Sequence, residues 1–364
     1  MANNSSQGES TEDKVFLIVS RYAVPIVFGI ITLLGIAGNT LVIHVIATRS
    51  KMRTVTNLLL LNLAVSDLAF VIICPLPTAY SFAYQTWPFG SFLCKLMHYT
   101  INSCAYVTVY TLVVISAFRF FTVVYNSQTV HLRTHRNAVI MIAFLWVVFL
   151  SANYPITQAY DVVVRNSSGV SLDCDMKSEE FQAPVFYSFF VFGYLLPLCL
   201  IGLLSVGIIA HLNKQRPTTI SQSTPSGIRS NSRKKSASRL IILVVVLFAI
   251  LWLPIQLHLV IAVTTGKQMP KSYLTVAFLW NLMAYANSCI NPFIYNQASK
   301  DFRYSFKEVV SCLKCCPRNQ NSRTPSLPAG QIAIVPAGAD QKERRHLIAS
   351  SGPHKEECQA SSNV

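Results

Sequence analysis

Charged residues are scarce in this sequence. Asp, Glu, Lys and Arg make up only 12% of the 364 residues, whereas hydrophobic residues make up 52%. A soluble globular domain carries about twice that charged fraction, so the composition predicts apolar surroundings. A large soluble protein with buried helices is the alternative. It would need a charged face on most helices, and the long apolar stretches have none.

Seven intervals lack charged residues, except that Asp67 interrupts the second. A helix needs about 20 mainly apolar residues to cross the hydrocarbon core of a bilayer, and each interval is long enough. We therefore predict an all-α membrane protein, a seven-transmembrane helix bundle with a short amphipathic eighth helix. The intervals lie between Arg21 and Arg49, Arg53 and Lys95, Lys95 and Arg119, Arg136 and Asp161, Glu180 and Lys214, Arg239 and Lys267, and Lys271 and Lys300.

Acidic residues are half as numerous as basic ones, 15 against 30, which gives a net charge of +15. With the N-terminus outside, about three quarters of the Lys and Arg fall on the inner side, as the positive-inside rule requires. The charge thus indicates a multi-pass plasma-membrane protein with an extracellular N-terminus, and nucleic acid is not an expected partner. Residues 1–20 lack the features of a cleavable signal peptide.

Four parts are predicted along the chain: an extracellular glycosylated tail at 1–21, the seven-helix bundle at 22–299, an amphipathic juxtamembrane helix at 300–316 and a disordered cytoplasmic tail at 317–364. The last part is too rich in Ser, Pro, Gln and charge to bury a core. Sequons predict glycosylation at Asn3, Asn4 and Asn166. Palmitoylation is predicted at Cys312, Cys315 and Cys316, which follow the last span beside lysines.

Two cysteines lie on the predicted outer side, Cys94 at the end of the third span and Cys174 in the second outer loop. In an oxidising exterior these two would pair and fix the loop over the mouth of the bundle. The cysteines inside the spans are interpreted as small apolar fillers; they are Cys74, Cys104, Cys199 and Cys289.

Several motifs occur in a fixed order along the spans. They are Gly38-Asn39-Thr40-Leu41-Val42, Leu63-Ala64-Val65-Ser66-Asp67, Trp146, Trp252-Leu253-Pro254 and Asn291-Pro292-Phe293-Ile294-Tyr295. As a set they resemble the helix signatures of rhodopsin-like (class A) G-protein-coupled receptors, over about residues 22 to 316. The resemblance implies a receptor that links an extracellular ligand to a heterotrimeric G protein, with arrestin, receptor kinases and membrane lipids as further partners.

Polar side chains within hydrocarbon are costly, which makes each one a candidate functional residue. The resemblance implies that five of them form a sodium pocket that favours the inactive state: Asp67, Thr108, Asn287, Ser288 and Asn291. A carboxylate at mid-bilayer needs a cation or hydrogen-bond donors. A purely structural hydrogen-bond network is the alternative. No other metal and no cofactor are expected.

The resemblance also implies an activation switch, formed by Arg119, Trp252, Pro254, Asn291, Pro292 and Tyr295. Proline breaks the hydrogen-bond ladder of a helix, so Pro197, Pro254 and Pro292 predict kinked helices that can rock. Ordinary packing is the alternative role for Trp252.

Two positions depart from the family pattern. Phe118 stands where an acid usually precedes Arg119, and Ser205, eight residues after Pro197, stands where a tyrosine commonly steadies the active state. Loss of the acid leaves the arginine freer and predicts raised basal activity, whereas loss of the tyrosine acts against it.

Single residues disfavour two classes of ligand, retinal and amines. Tyr285 occupies the site where retinal would need a lysine, and Ile101 the site where amine receptors carry an aspartate. Further motifs look like those of allatostatin-A receptors and of galanin receptors, which implies an amidated or galanin-like neuropeptide and often inhibitory Gi/o coupling. The motifs are Gln85-Thr86-Trp87-Pro88-Phe89-Gly90, Leu132-Arg133-Thr134-His135-Arg136-Asn137-Ala138 and Trp252-Leu253-Pro254-Ile255-Gln256-Leu257.

The expected ligand pocket comprises Ile101, Gln256, His258, Tyr273 and Trp280. Somatostatin and opioid receptors share much of this scaffold, so another peptide is the alternative ligand. A secondary transporter is the rival from another class, but the spans show no repeat symmetry. An enzyme is not expected, because Asp67 has no second acid beside it and no metal-ligand cluster is visible.

Overall fold

The computed structural model describes residues 16–125, 128–129, 131, 133–165, 171–214, 225–265 and 271–315. Within these ranges the side chains of residues 165, 212–214, 225–241, 271–275, 277, 298 and 312–315 are not described. The predicted modification sites Asn3, Asn4, Asn166 and Cys316 lie outside the described residues, as does the tail at 317–364. All described residues belong to one compact unit, Met1–Cys315.

The first half of the chain supplies helices α1 to α4. Helix α1 spans Phe16–Thr48 and includes a π-helical turn at Val19–Ala23. Helix α2 spans Val55–Tyr84 with a break at Cys74, directly before a proline that suits the start of a new helical segment. Helix α3 spans Gly90–Val124 and α4 spans His135–Ala152.

The second half of the chain supplies the remaining helices. Helix α5 consists of Gln182–Phe190, a π-helical turn at Val191–Leu195, and Leu196–Lys214. Helix α6 is Pro225–Thr265 and α7 is Lys271–Ala298. Helix α8, Lys300–Cys315, follows after one non-helical residue.

Side-chain caps fix two of the helix starts on the inner side. The Thr54 hydroxyl accepts a hydrogen bond from the Asn57 backbone N–H at 3.2 Å, and Thr134 accepts one from Asn137 at 3.2 Å. Each satisfies a backbone donor that the first helical turn leaves without an intrahelical partner. At the other end of α2, Gln85 adopts the left-handed conformation that ends a helix (φ 52°).

The helices form a closed bundle in which α7 returns to α1 and α3 contacts α2, α4, α5 and α6. Two buried apolar clusters fill it, an outer one around Phe28, Trp87 and Tyr285 and an inner one around Phe248 and Tyr295. Small residues let helices approach closely. At Gly38 an added Cβ would meet the ring of Pro292 at 2.9 Å, so this glycine permits α1 to pack against the proline of α7.

Six of the described helical segments are long and apolar enough to cross a membrane: Phe16–Thr48, Val55–Tyr84, Gly90–Val124, His135–Ala159, Glu179–His211 and Ile242–Thr265. Many of their large apolar side chains are exposed, as expected for contact with lipid. Helix α7 has the length of a span but carries several polar residues in its inner half. The predicted seven-helix bundle is confirmed.

Two details differ from the sequence-based boundaries. The described part of the first helix already includes Phe16, inside the predicted tail at 1–21, and the apolar residues there continue the helix across Arg21. The second helix is broken before Pro75, whereas the sequence predicted kinks only at the prolines of α5, α6 and α7. The eighth helix begins at Lys300.

Candidate functional site

A two-stranded antiparallel hairpin lies against the outer end of α3. Strand β1 is Tyr160–Arg165 and β2 is Ser171–Met176, paired so that Val162 faces Cys174. The predicted disulfide between Cys94 and Cys174 is confirmed, with a Cα–Cα distance of 5.5 Å. It ties the centre of β2 to the outer end of α3.

Polar contacts hold the hairpin to the bundle on either side of the disulfide. The Lys95 ammonium lies 3.0 Å from a carboxylate oxygen of Asp161, and the backbone N–H of Trp87 donates to the carbonyl of Leu172 at 2.6 Å. Hydrogen bonds from the Ser91 hydroxyl and then from Lys95 lower the pKa of Asp161 to about 2. The carboxylate therefore stays ionised at physiological pH.

Aromatic packing supports the same region. The rings of His98 and Tyr160 stack at 3.7 Å between centroids, so the start of β1 rests on α3. Trp87 is fully buried; its indole N–H donates to the carbonyl of Gly90 at 3.0 Å and its ring contacts Phe89. These contacts hold the start of the hairpin and the segment before α3 against the outer end of the bundle.

Of the five predicted pocket residues, two touch each other: the rings of His258 and Trp280 lie 5.4 Å apart, joining α6 to α7. Ile101 packs against the outer cluster from α3. Gln256 is buried in α6, and the side chain of Tyr273 lies outside the described residues. Pocket membership as such stays a prediction.

Gln256 and Trp252 carry polar atoms that lack hydrogen-bond partners. Gln256 is 1% exposed, and neither its amide nitrogen nor its amide oxygen is bonded within the described protein; the indole N–H of Trp252 is likewise unbonded. The Trp252 ring contacts Phe189 and Phe248 at 5.8 Å. Each unpaired buried group costs about 1–3 kcal/mol, so a partner that supplied these bonds would be favoured here.

Asp67 lies at the centre of a polar layer in the middle of the bundle. Its carboxylate is buried and accepts a hydrogen bond from the Asn291 side-chain amide at 2.8 Å and one from Ser288. Beside it, the hydroxyls of Ser66 and Thr108 are 3.2 Å apart. Three of the five predicted sodium ligands are thus in direct contact.

The other predicted ligands are less closely linked. Thr108 reaches the layer through Ser66, and Asn287 is buried nearby on α7. A residue outside the predicted set also joins: the Asn39 amide donates to the backbone carbonyl of Ser288 at 2.9 Å, which bridges α1 and α7. The carboxylate and hydroxyl oxygens are ligands that suit a hard cation.

One buried hydrogen-bond network was not predicted from the sequence. The Trp146 indole N–H donates to the Asn62 amide oxygen at 2.8 Å, and the Asn62 amide nitrogen donates to the Thr111 hydroxyl at 2.9 Å. Three helices, α2, α3 and α4, are joined in this way. The signal in the sequence was the polar Asn62 in a predicted span, four residues before Ser66.

The inner end of the bundle holds Arg119 and Tyr295. Tyr295 is fully buried against Phe302 of α8, with ring centroids 5.6 Å apart, and its hydroxyl has no partner in the described protein. The Nε of Arg119 is also unbonded, and neither salt bridge of the described residues involves this arginine. Phe118 and Phe120 flank it.

Helix α8 is fastened to the bundle by charge and by aromatic packing. Arg49, after α1, lies 3.0 Å from a carboxylate oxygen of Glu308. Phe302 and Phe306 are buried on the opposite face of α8 and contact each other. The side chains of the predicted palmitoylation sites Cys312 and Cys315 lie outside the described part, so that prediction stands untested.

Comparison with known proteins gives one consistent group. The model of the family described as "7 transmembrane receptor (rhodopsin family)" matches residues 38–295. The chain is 37% identical over 305 residues to an allatostatin-A receptor of Bombyx mori, covering 81% of both proteins. It is 36% identical to galanin receptor 2b of Danio rerio, covering 80% of this chain and 75% of the relative. Galanin receptor type 1 of Mus musculus is 32% identical, with 85% and 88% covered.

Proposed function

Since this chain belongs to the rhodopsin family of seven-transmembrane receptors, we propose that it is a plasma-membrane receptor for a short neuropeptide of the allatostatin-A or galanin kind. The observation that carries the proposal is its identity of more than 30% with receptors named for these peptides, over most of both chains. Members of the family are receptors and not enzymes, so the expectation that this chain is not an enzyme is confirmed.

The peptide is proposed to enter beside the hairpin and to place an amidated end near Gln256. A primary carboxamide both donates and accepts hydrogen bonds, as does the Gln256 side chain, so the two amides can pair reciprocally. That pairing would satisfy both unbonded atoms of Gln256. The aromatic rings of His258 and Trp280 offer apolar contact next to it.

The test compares an amidated neuropeptide with its free-acid form in cells expressing the receptor. Gln256→Leu should raise the EC50 of the amidated peptide by about 5- to 160-fold, the effect of about 1–3 kcal/mol, with little change for the free acid. Leu257→Ala is the matched control, because Leu257 is the next residue of α6 and is exposed towards lipid. Equal losses for both peptide forms would place the amide elsewhere, and a response only to somatostatin- or opioid-like peptides would replace the proposed ligand class.

Signalling is proposed to run through a heterotrimeric Gi/o protein that binds Arg119 once the inner end of α6 moves outward. A ligand shifts this equilibrium only by its preference for the open bundle. Because Phe118 provides no carboxylate to restrain Arg119, this departure should raise basal signalling, read as cAMP below that of empty cells, whereas Ser205 acts in the opposite direction.

Two substitutions separate the opposing departures from the family pattern. Phe118→Glu supplies a carboxylate beside Arg119 and should reduce basal signalling, whereas Ser205→Tyr should increase it. Basal cAMP equal to that of empty cells, unchanged by both variants, would remove the proposed role of Phe118. A response to peptide through calcium rather than cAMP would reject Gi/o coupling but not the receptor function.

Sodium is proposed to bind at Asp67 with help from Ser288 and Asn291, and to favour the inactive state. The fit rests on a buried carboxylate whose described partners are neutral amide and hydroxyl groups, so a cation would compensate its charge. Agonist affinity should fall when NaCl replaces a salt of a large organic cation. Asp67→Asn should abolish that salt effect, and a persistent effect would reject the site.

A further inference from the structure

A shallow, partly open crevice lies between the inner ends of α3 and α4, at the opposite end of the bundle from the proposed peptide site. It has a volume of about 270 Å³ and is lined by Phe118, Phe121, Asn137, Ile140 and Met141. Ile140 is 53% exposed within a membrane-spanning helix. The crevice is therefore expected to open towards lipid.

The size and lining of the crevice restrict what it can hold. Four of its five residues are apolar, and its volume is below the roughly 300 Å³ at which pockets for compact small molecules begin. Asn137, the one polar residue, already binds locally: its side chain donates to the backbone carbonyl of His131 at 3.4 Å. A segment of hydrocarbon chain fits these features better than a polar ligand does.

Positive charge lies at the cytoplasmic end of the same crevice. Arg136 is exposed and precedes Ile140 by one helical turn, so the two share a face of α4. Helical side chains lean towards the N-terminus of their helix, which directs Arg136 to the cytoplasmic membrane surface. The sequence has no Asp or Glu between Asp67 and Asp161, so this stretch offers no local acid to neutralise it.

We propose that the crevice binds one acyl chain of an anionic phospholipid of the cytoplasmic leaflet, with the lipid phosphate beside Arg136. Charge complementarity selects an anionic headgroup over a zwitterionic one, and the apolar lining of the crevice holds the chain. Phe118 forms part of the crevice wall and directly precedes Arg119. The lipid would therefore lie on the lipid-facing side of the same turn of α3 that presents Arg119 to the proposed G-protein site. The proposal uses the inner orientation of this end from the proposed function.

The test measures which lipids purified full-length receptor retains, without peptide or G protein. The receptor is reconstituted in nanodiscs of phosphatidylcholine and phosphatidylserine, released, and analysed by native mass spectrometry. Wild type should retain phosphatidylserine in preference to phosphatidylcholine. Arg136→Gln should reduce that preference about fivefold, the effect of about 1 kcal/mol for one basic residue near the membrane surface. Ile140→Trp should displace the bound lipid by filling the crevice.

Two controls match these variants. Lys307→Gln removes an exposed charge from α8, which packs against α1 and α7, and Val147→Trp enlarges a 66% exposed residue higher on α4; both should bind lipid as wild type does. Equal retention of the two phospholipids by wild type, no effect of Arg136→Gln, or unchanged retention of phosphatidylserine by Ile140→Trp would overturn the proposal. Because peptide signalling is measured separately in cells, none of these outcomes bears on the receptor function.

Discussion

Two glycines of α5 should respond in opposite ways to substitution by alanine. At Gly207 an added Cβ would lie 2.7 Å from one ring carbon of Phe120 and 3.3 Å from another, which joins α5 tightly to α3. At Gly202, five residues earlier on the same helix, an added Cβ meets nothing within 4 Å. The pair therefore separates the packing cost of a methyl group from its effect on the helix itself.

The magnitudes follow from these distances. Overpacking a well-filled contact costs about 1–3 kcal/mol, and Phe120 cannot rotate freely because its ring also contacts Phe121 and Tyr125. Replacing glycine by alanine in a helix gains at most about 1 kcal/mol, and less in a bilayer, where helices persist after the bundle separates. Gly207→Ala should thus be destabilising by about 0–3 kcal/mol, and Gly202→Ala neutral or stabilising.

The assay is thermal unfolding of purified receptor in one detergent, followed by a thiol-reactive dye. At roughly 2 °C per kcal/mol for a chain of this size, Gly207→Ala should lower the Tm by a few degrees relative to Gly202→Ala. The double variant Gly207→Ala with Phe120→Leu should recover part of the loss, because contacting residues couple. A Tm for Gly207→Ala equal to that of Gly202→Ala, or no recovery in the double variant, would refute the close contact.

Three further predictions concern polar contacts. Asn62→Leu removes two buried hydrogen bonds and leaves the indole N–H of Trp146 unpaired, while Thr111 keeps its bond to the backbone carbonyl of Val107. It should therefore cost about 1–3 kcal/mol and lower the Tm more than Lys307→Gln does. Arg49 and Glu308 are each about one-third exposed, so a double-mutant cycle in the same assay should give a coupling of only about 0.2–1 kcal/mol. For Asp161 the folded pKa of about 2 lies below the ordinary 3.8; its contribution is complete above pH 3.8 and is lost as the pH falls towards 2, so peptide binding between pH 5 and 7 should not weaken through this group.

The sequence predicted the number and order of the helices because hydrocarbon leaves few options. A spanning segment must be apolar along its length and must satisfy its own backbone hydrogen bonds, and that requirement is visible without any structure. The disulfide was predictable for a similar reason, since only two cysteines, Cys94 and Cys174, were placed on the oxidising side. Charge-free intervals and outer cysteines are local properties of the chain.

The contacts between helices were not predictable in the same way. A soluble helix shows its inner face as an apolar stripe, but helices that are apolar all round give little indication of their rotation. Hence Trp146 was recognised as a motif, while its bond to Asn62 was not. The bond from Lys95 to Asp161 was likewise missed, because it depends on how the hairpin lies against the outer end of α3, and the two residues stand in different elements.

The distribution of satisfied and unsatisfied polar groups follows from what a transmembrane coupler requires. In the middle of the bundle Asp67 and Asn62 have hydrogen-bond partners, whereas the oxygen of Asn39 and the hydroxyl of Ser103 have none within the described protein. Gln256 towards the outside and Arg119 towards the inside also carry unbonded buried atoms. A group left unpaired on one side of an equilibrium raises the free energy of that state, and a partner that pairs it lowers the free energy of the state it binds. If the peptide supplies the missing hydrogen bonds of Gln256 and the G protein supplies that of Arg119, each favours the open bundle. By linkage, each must then strengthen the binding of the other by the same factor. Agonist affinity measured with and without G protein should therefore differ, and Arg119→Leu should remove the difference while leaving peptide binding itself intact.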